Sequence, residues 1–256
     1  MKRWIMSSIA ISLIAFACVF GAALLGIFLR AVLPEHHLSA DSKHVVNLGM
    51  GLVATMSALV LGLLIASAKN SFDTQNTALT EMSAQVVVLD RLLAHYGPDT
   101  KEVRDLLRSA VVGVLDQMKS KDRTNHSQLE PPSAGREVIL DKIQGLSPKD
   151  DRQRSLQAQA LSIAMGLLQT RWLQYEQTTA AVSVPLLVVL VFWLAVIFFG
   201  FGLFAPRNAT VVAALLICAL SVSAAILLIL EMYTPHAGLI KISDAPLRSA
   251  LAHLGR

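Results

Sequence analysis

The segment PEHHLSADSKH, residues 34–44, contains the side chains of this chain that are best suited to metal chemistry. Imidazole and carboxylate groups together suit zinc, and a helix would bring residues that are three apart onto one face. The candidate metal ligands are therefore His36, His37, Asp41 and His44. The alternative interpretation is a polar hairpin in which Asp41 or Ser42 caps the helix that follows.

Small residues repeat at helical spacing in the apolar stretch after this segment. Five of them lie four, three, four and four residues apart, and we call them the small-residue stripe: Gly51, Thr55, Ala58, Gly62 and Ala66. In a bilayer such a stripe lets helices approach each other closely. Beside an aqueous path the same residues would leave room for an ion. The sequence leaves both interpretations open.

Two charged residues, Lys69 and Asp73, follow the stripe at the same helical spacing. If the stripe lines a path, these two residues form its cytoplasmic mouth. In the alternative interpretation, Lys69 extends its ammonium group to the membrane interface, and Asp73 caps the helical extension or pairs with a cation.

The sequence lacks the motifs of common enzyme classes. The glycines of GMG at 49–51 lack the third glycine of a dinucleotide-binding loop and follow no predicted strand. The chain has no CxxC, no HExxH and no nucleophile-elbow serine. We therefore expect no enzymatic activity and no cofactor.

Four uncharged apolar stretches must position these residues, and they mark a membrane protein. The chain is 54% hydrophobic and only 16% charged, whereas soluble domains carry about 25% charged residues. Each stretch reaches the roughly 20 residues that a helix needs to cross a bilayer, and together they cover residues 4–29, 45–68, 177–205 and 208–230. Cys18 and Cys218 lie inside two of the stretches, where we expect buried thiols rather than a disulfide.

The distribution of Lys and Arg predicts the orientation of the spans. The N-terminal segment, the middle segment 69–176 and the tail contain 19 of these residues, whereas the two short loops on the other side contain 3. This asymmetry predicts a multi-pass protein with both termini and the middle segment in the cytoplasm. A carboxylate or a base inside the spans would favour a proton-coupled transporter, but the spans contain none, and Glu231 only follows the fourth.

Helical periodicity continues through the middle segment. The pattern predicts one helix from the second span to Gly97 and Pro98, a second helix after Pro98, a loop, a short helix near 136–146, and a long helix capped by Ser147. We therefore expect an all-α protein with four transmembrane helices, in which spans 2 and 3 extend into a cytoplasmic helical bundle. The expected divisions are 1–68 for the first two spans, 69–176 for the cytoplasmic domain, 177–230 for the last two spans and 231–256 for a cytoplasmic tail.

Three motifs resemble the bacterial bestrophin-like family: LPEHHL at 33–38, GLVATMSALVLGLLIASAKNSFD at 51–73, and GLIKISDAPLRSAL at 238–251. The resemblance covers almost the whole chain and implies four spans with cytoplasmic termini. The family is remotely similar to the bestrophins, which are pentameric anion channels lined by their second span. The resemblance thus suggests a homo-oligomer, favours a pentamer, and suggests an anion-permeable pore. The sequence departs from bestrophins in two respects. It has no Phe between Val45 and Ser71, and it has no run of acidic residues like the one that binds calcium in bestrophins.

Two main hypotheses for function follow. The first is an oligomeric ion channel in the bacterial inner membrane, with inorganic ions and the lipid bilayer as its partners. The second is a non-conducting scaffold or signal-transducing protein whose cytoplasmic bundle binds a partner. A third hypothesis, a metal-binding transporter, depends on the histidine segment. Nucleic acid is not an expected partner, because the middle segment has as many acidic as basic residues, fourteen of each.

Overall fold

The computed structural model describes residues 8–30, 32, 40–120, 137–179, 184–206, 208–233 and 240–255. Within these ranges the chain forms eight α-helices and one 3-10 turn, Pro98–Thr100. The helices are α1 Ser8–Leu29, α2 Ala40–Tyr96, α3 Lys101–Ser120, α4 Glu137–Gln144, α5 Asp151–Thr179, α6 Val184–Phe204, α7 Ala209–Tyr233 and α8 Ala245–His253. These ranges contain no strand, so the predicted all-α fold is confirmed.

Four helices are long and apolar enough to cross a membrane, and they are α1, α2, α6 and α7. They coincide with the four predicted spans because the uncharged runs are also the longest helix-compatible runs. Helix α6 begins at Val184, seven residues after the predicted start of the third span. The prediction that α5 continues into that span depends on residues 180–183, which lie outside the described ranges.

Helix α2 runs unbroken for 57 residues, which confirms that the second span continues as a helix far beyond its apolar part. It ends at Tyr96 because Gly97 adopts a φ of 131°, a conformation that glycine tolerates and other residues rarely adopt. Pro98 then starts the 3-10 turn that leads into α3.

The chain divides into two compact units, and the division falls within α2. Unit 1 comprises Met1–Ser71 and Ala181–Thr234, and unit 2 comprises Phe72–Ala180 and Pro235–Arg256. Unit 1 therefore contains α1, the apolar part of α2, α6 and α7. Unit 2 contains the rest of α2 with α3, α4, α5 and α8.

Two glycines bring α1 and α6 into close contact in unit 1. A Cβ atom added at Gly26 would overlap the carbonyl oxygen of Phe199, and one added at Gly202 would overlap the carbonyl oxygen of Ala23. Helix backbones in membranes approach each other this closely where the residues at the contact are small. The pair α1 and α6 is therefore in close contact, and Gly200 of α6 likewise makes room for the side chain of Met50 on α2.

Two serines join α1 to α7 on the buried side of both helices. The Oγ atoms of Ser12 and Ser223 lie 2.9 Å apart. The hydroxyl of Ser12 also lies 2.9 Å from the carbonyl oxygen of Ser223, and that of Ser223 donates to the carbonyl oxygen of Ser12 at 2.7 Å. Interhelical hydroxyl contacts of this kind stabilise helix pairs in membranes by about 0.6 kcal/mol.

The core of unit 2 is built from one face of each of its helices. On α3 the buried residues recur every four positions, as the apolar periodicity predicted, and they are Val103, Leu107, Val111 and Leu115. The predicted short helix is present as α4. Leu247 and Leu254, at the end of the chain, belong to the same core. The predicted loop at 122–135 lies outside the described ranges.

Helix α5 begins three residues later than the sequence predicts. The predicted cap was Ser147, but α5 starts at Asp151, and the Asp150 carboxylate accepts the backbone N–H of Gln153 at 2.6 Å. A carboxylate at this position also interacts favourably with the helix dipole, so Asp150 replaces Ser147 as the cap. Helix α8 begins at Ala245, directly after Asp244 as its N-cap.

The two cysteines also differ from the prediction. Cys18 and Cys218 are free, but both are exposed on the surface of unit 1 rather than buried. An apolar thiol suits a lipid-facing surface as well as a helix interface. The apolar sequence around each cysteine therefore did not distinguish an exposed position from a buried one.

Candidate functional site

The apolar part of α2 has one face that packs within unit 1. Its buried residues are Met50, Ser57, Leu64 and Ala68. They are separated by seven, seven and four residues, which places them on one side of a helix. Leu64 and Ala68 belong to a core cluster with residues of α1, α6 and α7, so this face fixes α2 against the other three spans.

The small-residue stripe lies on the far side of the same helix. At 100° per residue its centre is roughly 135° from the packed face. All five of its residues, Gly51, Thr55, Ala58, Gly62 and Ala66, are exposed. A Cβ atom added at Gly51 or Gly62 would meet nothing within 4 Å. Within one chain, therefore, no described residue packs against the stripe at Gly51 or Gly62.

The two mid-span hydroxyl groups of α2 point to different sides. Thr55 is exposed, and its Oγ1 donates to the Leu52 carbonyl at 2.8 Å. Ser57 is buried on the packed face, and its Oγ donates to the Val53 carbonyl at 2.7 Å. Ser57 therefore cannot line the same path as the stripe, and Thr55 supplies the stripe's hydroxyl group.

Lys69 and Asp73 continue the line of the stripe along α2. Each is exposed, and each also makes contacts within the chain. Nearby in unit 1, the hydroxyl of Tyr233 lies 2.9 Å from that of Ser67 and ties the end of α7 to α2. Glu231, two residues before Tyr233, is buried at the end of α7.

Two of the four proposed metal ligands fall outside the described residues. His36 and His37 lie outside the described ranges. Helix α2 begins at Ala40, so Asp41 and His44 lie one turn apart in its first residues, and Asp41 is inside the helix rather than at its cap. Among the described residues no group of three His, Cys, Asp or Glu side chains converges as a metal site.

A buried ion pair in unit 2 joins α2, α3 and the end of the chain. Arg104 donates from Nε and Nη2 to the two carboxylate oxygens of Asp90, at 2.7 and 3.0 Å. The backbone N–H of Gly255 donates to the same carboxylate at 3.2 Å. Only 1% of Asp90 is exposed. We call Asp90, Arg104 and Gly255 the Asp90 clasp.

The clasp changes the acid–base behaviour of its members. Burial by itself raises the pKa of the Asp90 carboxyl, but the hydrogen bonds from Arg104 and Gly255 and the charge of Arg104 together lower that pKa below its usual value. The bond to Asp90 in turn raises the pKa of Arg104. Asp90 is therefore ionised at neutral pH.

Sequence reasoning missed the clasp because its members are far apart in the chain. The one available signal was a single carboxylate inside the apolar run VVVLDRLL at 86–93. An acidic residue at such a position is almost never buried unless it is paired. The sequence alone offers no means of choosing Arg104 as the partner.

Comparison with known proteins assigns a family. The Bestrophin-like domain family matches residues 17–247, which is most of the chain. No curated protein and no solved structure matches the chain. The matched region includes the small-residue stripe, the clasp residues Asp90 and Arg104, and most of α1. The chain therefore belongs to the bestrophin-like family.

Proposed function

We propose that this protein forms homo-oligomers in the bacterial inner membrane and conducts inorganic ions along a path lined by the small-residue stripe of α2. Lys69 and Asp73 form the cytoplasmic mouth of that path. Anions are the proposed permeating species, and a pentamer is the proposed assembly. Membership of the bestrophin-like family supports this choice over a transporter or an enzyme.

The observation that carries the proposal is the poor coverage of α2. Only 17% of its most apolar window is buried within the chain, compared with 28% for α1, 39% for α6 and 28% for α7. The stripe lies on the uncovered part. Small side chains give little contact area against lipid, whereas they permit close approach of another helix or of water. The stripe is thus better suited to a neighbouring copy or an aqueous path than to lipid.

The chemistry of the stripe favours the passage of an ion over its retention at one site. Permeation requires sites that are weak and repeated, because a single deep site would hold the ion. Thr55 contributes a hydroxyl group, and the backbone beside Gly51 and Gly62 is open. The stripe contains no charged group that would trap an ion.

Reconstitution tests the proposal. Purified protein in liposomes should conduct, with a reversal potential that follows the chloride gradient rather than the potassium gradient. The same preparation should be oligomeric by native mass spectrometry. A closed dimer that passes no current under any ionic condition would instead favour a non-conducting scaffold or signal-transducing protein.

A further inference from the structure

The part of α2 that belongs to unit 2 also has one packed side and one uncovered side. Its buried residues are Ser83, Val86, Leu89, Asp90, Leu93 and Tyr96. Seven exposed residues recur every three or four positions, and we call them the unit 2 stripe: Asp73, Thr77, Thr80, Ala84, Val88, Arg91 and His95. At 100° per residue the centres of the two sets are roughly 170° apart. The unit 2 stripe is therefore opposite the packed side of the helix.

The unit 2 stripe continues the small-residue stripe along one unbroken helix. Thr55, Asp73 and Arg91 are successively 18 residues apart on α2. Eighteen residues make five turns of an α-helix, so these three residues share one side of α2. All three are exposed. If the small-residue stripe lines a path, the periodicity of the helix extends that lining to Arg91.

The unit 2 stripe has fewer charges than another exposed surface of the same unit. Two of its seven residues are charged, Asp73 and Arg91. Among the nine residues of α3 that the structure describes as exposed, five are charged: Lys101, Glu102, Asp105, Arg108 and Asp116. Depletion of charge is typical of the centre of a protein interface. The composition of the unit 2 stripe thus favours a surface that faces other copies of the chain.

Arg91 gives the two stripes their net charge. Lys69 and Asp73 have opposite charges one turn apart, so together they contribute none. Arg91 is exposed, and within the described part of the chain its guanidinium forms no ion pair. The adjacent carboxylate, Asp90, is bound by Arg104 at 2.7 and 3.0 Å. The Arg91 side chain is therefore accessible to an anion in solution.

We propose that the ion path continues along the unit 2 stripe and that the Arg91 side chains of the assembled copies form a positive ring that selects anions. Equivalent residues of copies related by cyclic symmetry lie at one height along the axis. Like charges at one height repel each other, and water and anions between them reduce that repulsion. Rings of Arg or Lys select anions in pores. This inference rests on the proposed ion path and names the residue that sets its selectivity.

Reversal potentials under a potassium chloride gradient measure the effect of the ring. Arg91→Glu reverses the charge and should lower the chloride-to-potassium permeability ratio by about tenfold or more. Arg91→Gln should lower this ratio less, and Arg91→Lys should preserve it. The ratio of the parent should also fall from 0.1 M to 1 M salt, because the Debye length shrinks from about 10 Å to about 3 Å. If Arg91→Glu fails to assemble, Arg91→Gln decides the result.

Arg152 of α5 provides the matched control. It is an exposed arginine of unit 2. Helix α5 packs on the buried side of α2, where Ala160 and Ala164 share a core with Leu89 and Leu93. Arg152 therefore lies on a helix that contacts the side of α2 opposite the unit 2 stripe. Arg152→Glu should leave the permeability ratio unchanged.

Crosslinking between copies tests the position of Arg91 without any current. In a background without Cys18 and Cys218, Arg91→Cys in nanodiscs should form a covalent dimer with a short bis-maleimide. Arg152→Cys should not form this dimer under the same conditions.

Two results would overturn the ring and leave the ion path intact. One is a chloride-selective current whose permeability ratio changes equally, or not at all, in Arg91→Glu and Arg152→Glu. The other is a conducting parent whose Arg91→Cys variant forms no crosslink between copies. A parent that passes no current would refute the ion path itself, and the role of the ring with it.

Discussion

At the scale of single residues, the Asp90 clasp compensates for the energetic cost of burying one carboxylate. Asp90 is almost fully buried and Arg104 is 22% exposed, so the pair is only partly screened by water. Removing one partner of a buried pair is more costly than the pair is favourable, because the other group loses its compensation. The clasp therefore makes a sharp prediction about a single carboxylate.

Asp90→Asn should destabilise unit 2. The amide retains an acceptor but loses the charge-assisted bonds to Arg104, which are worth about 1.5–3 kcal/mol. Hydrogen exchange should show lower protection of α3 and α8, while Asp116→Asn, at an exposed position of α3, should change little. Equal protection in the parent and the Asp90→Asn variant would contradict the clasp.

The pH dependence of this effect has a defined sign. The folded pKa of Asp90 is lowered, so its stabilising contribution is complete above the unfolded pKa of about 3.9. It is lost as the pH falls through the lower, folded pKa. The difference in protection between parent and variant should therefore stay constant from pH 7 to about 5 and shrink only below about 4. A difference that disappears between pH 7 and 6 would be inconsistent with this account.

At the scale of helices, unit 1 uses its glycines in two ways. Gly26 and Gly202 allow the backbones of α1 and α6 to meet, whereas Gly51 and Gly62 of α2 face open space. The same residue type therefore holds one pair of helices together and leaves one face of α2 free for contacts outside the chain. A larger residue should therefore destabilise the fold of one chain at Gly26 and leave that fold intact at Gly62.

Gly26→Ala should weaken the contact between α1 and α6. Its methyl group would overlap the Phe199 carbonyl, and overpacking costs about 1–3 kcal/mol. The matched control is Gly21→Ala in the same helix, where an added Cβ meets nothing within 4 Å and the better helix propensity stabilises by up to about 1 kcal/mol. Thermal unfolding in one detergent should separate the two variants, and identical midpoints would show that the close approach is absent.

Gly62→Leu should affect assembly and not the fold of one chain. No described atom of the chain lies near an added Cβ at this position, so the monomer can accept leucine. If copies pack along the stripe, the larger side chain should reduce the oligomer fraction measured by chemical crosslinking. A variant that assembles and behaves like the parent would indicate that the stripe faces lipid.

The helices of this protein follow from its sequence more readily than their contacts do. Uncharged runs and apolar periodicity predicted all four span helices and α3, since burial in lipid or in a core selects apolar residues directly. The stripe is regular along the sequence, but regular spacing says only that its residues share a face. Which side of a helix packs depends on partners that are distant in the chain, such as Ser12 with Ser223 and Gly26 with Phe199, which are 211 and 173 residues apart. The exposed side of α2 was therefore not predictable from spacing alone.

At the scale of the whole molecule, charge asymmetry defines the expected orientation. Nineteen Lys and Arg residues lie on the predicted cytoplasmic side and three on the other. Positive residues near the spans resist translocation, and this bias orients multi-pass proteins. The middle segment has no net charge, so the short flanking segments supply the bias most directly.

Cysteine labelling in intact cells tests this orientation. With Cys18 and Cys218 removed, a cysteine at Ser39 should react with a reagent that does not cross the membrane. A cysteine at Ser127 should react only after the membrane is opened. Labelling of both positions from the same side would refute the predicted topology.

The central claim is that the stripe of α2 lines an ion path, and cysteine modification under voltage clamp tests it most directly. In a background without Cys18 and Cys218, single cysteines at Thr55, Ala58 and Gly62 should make the current of reconstituted protein sensitive to a water-soluble thiol reagent. Two controls should not respond: Ser57→Cys on the packed face of α2, and Leu220→Cys at an exposed, apolar position of α7. Current that the reagent leaves unchanged at all three stripe positions, with block found only in another span, would contradict the account.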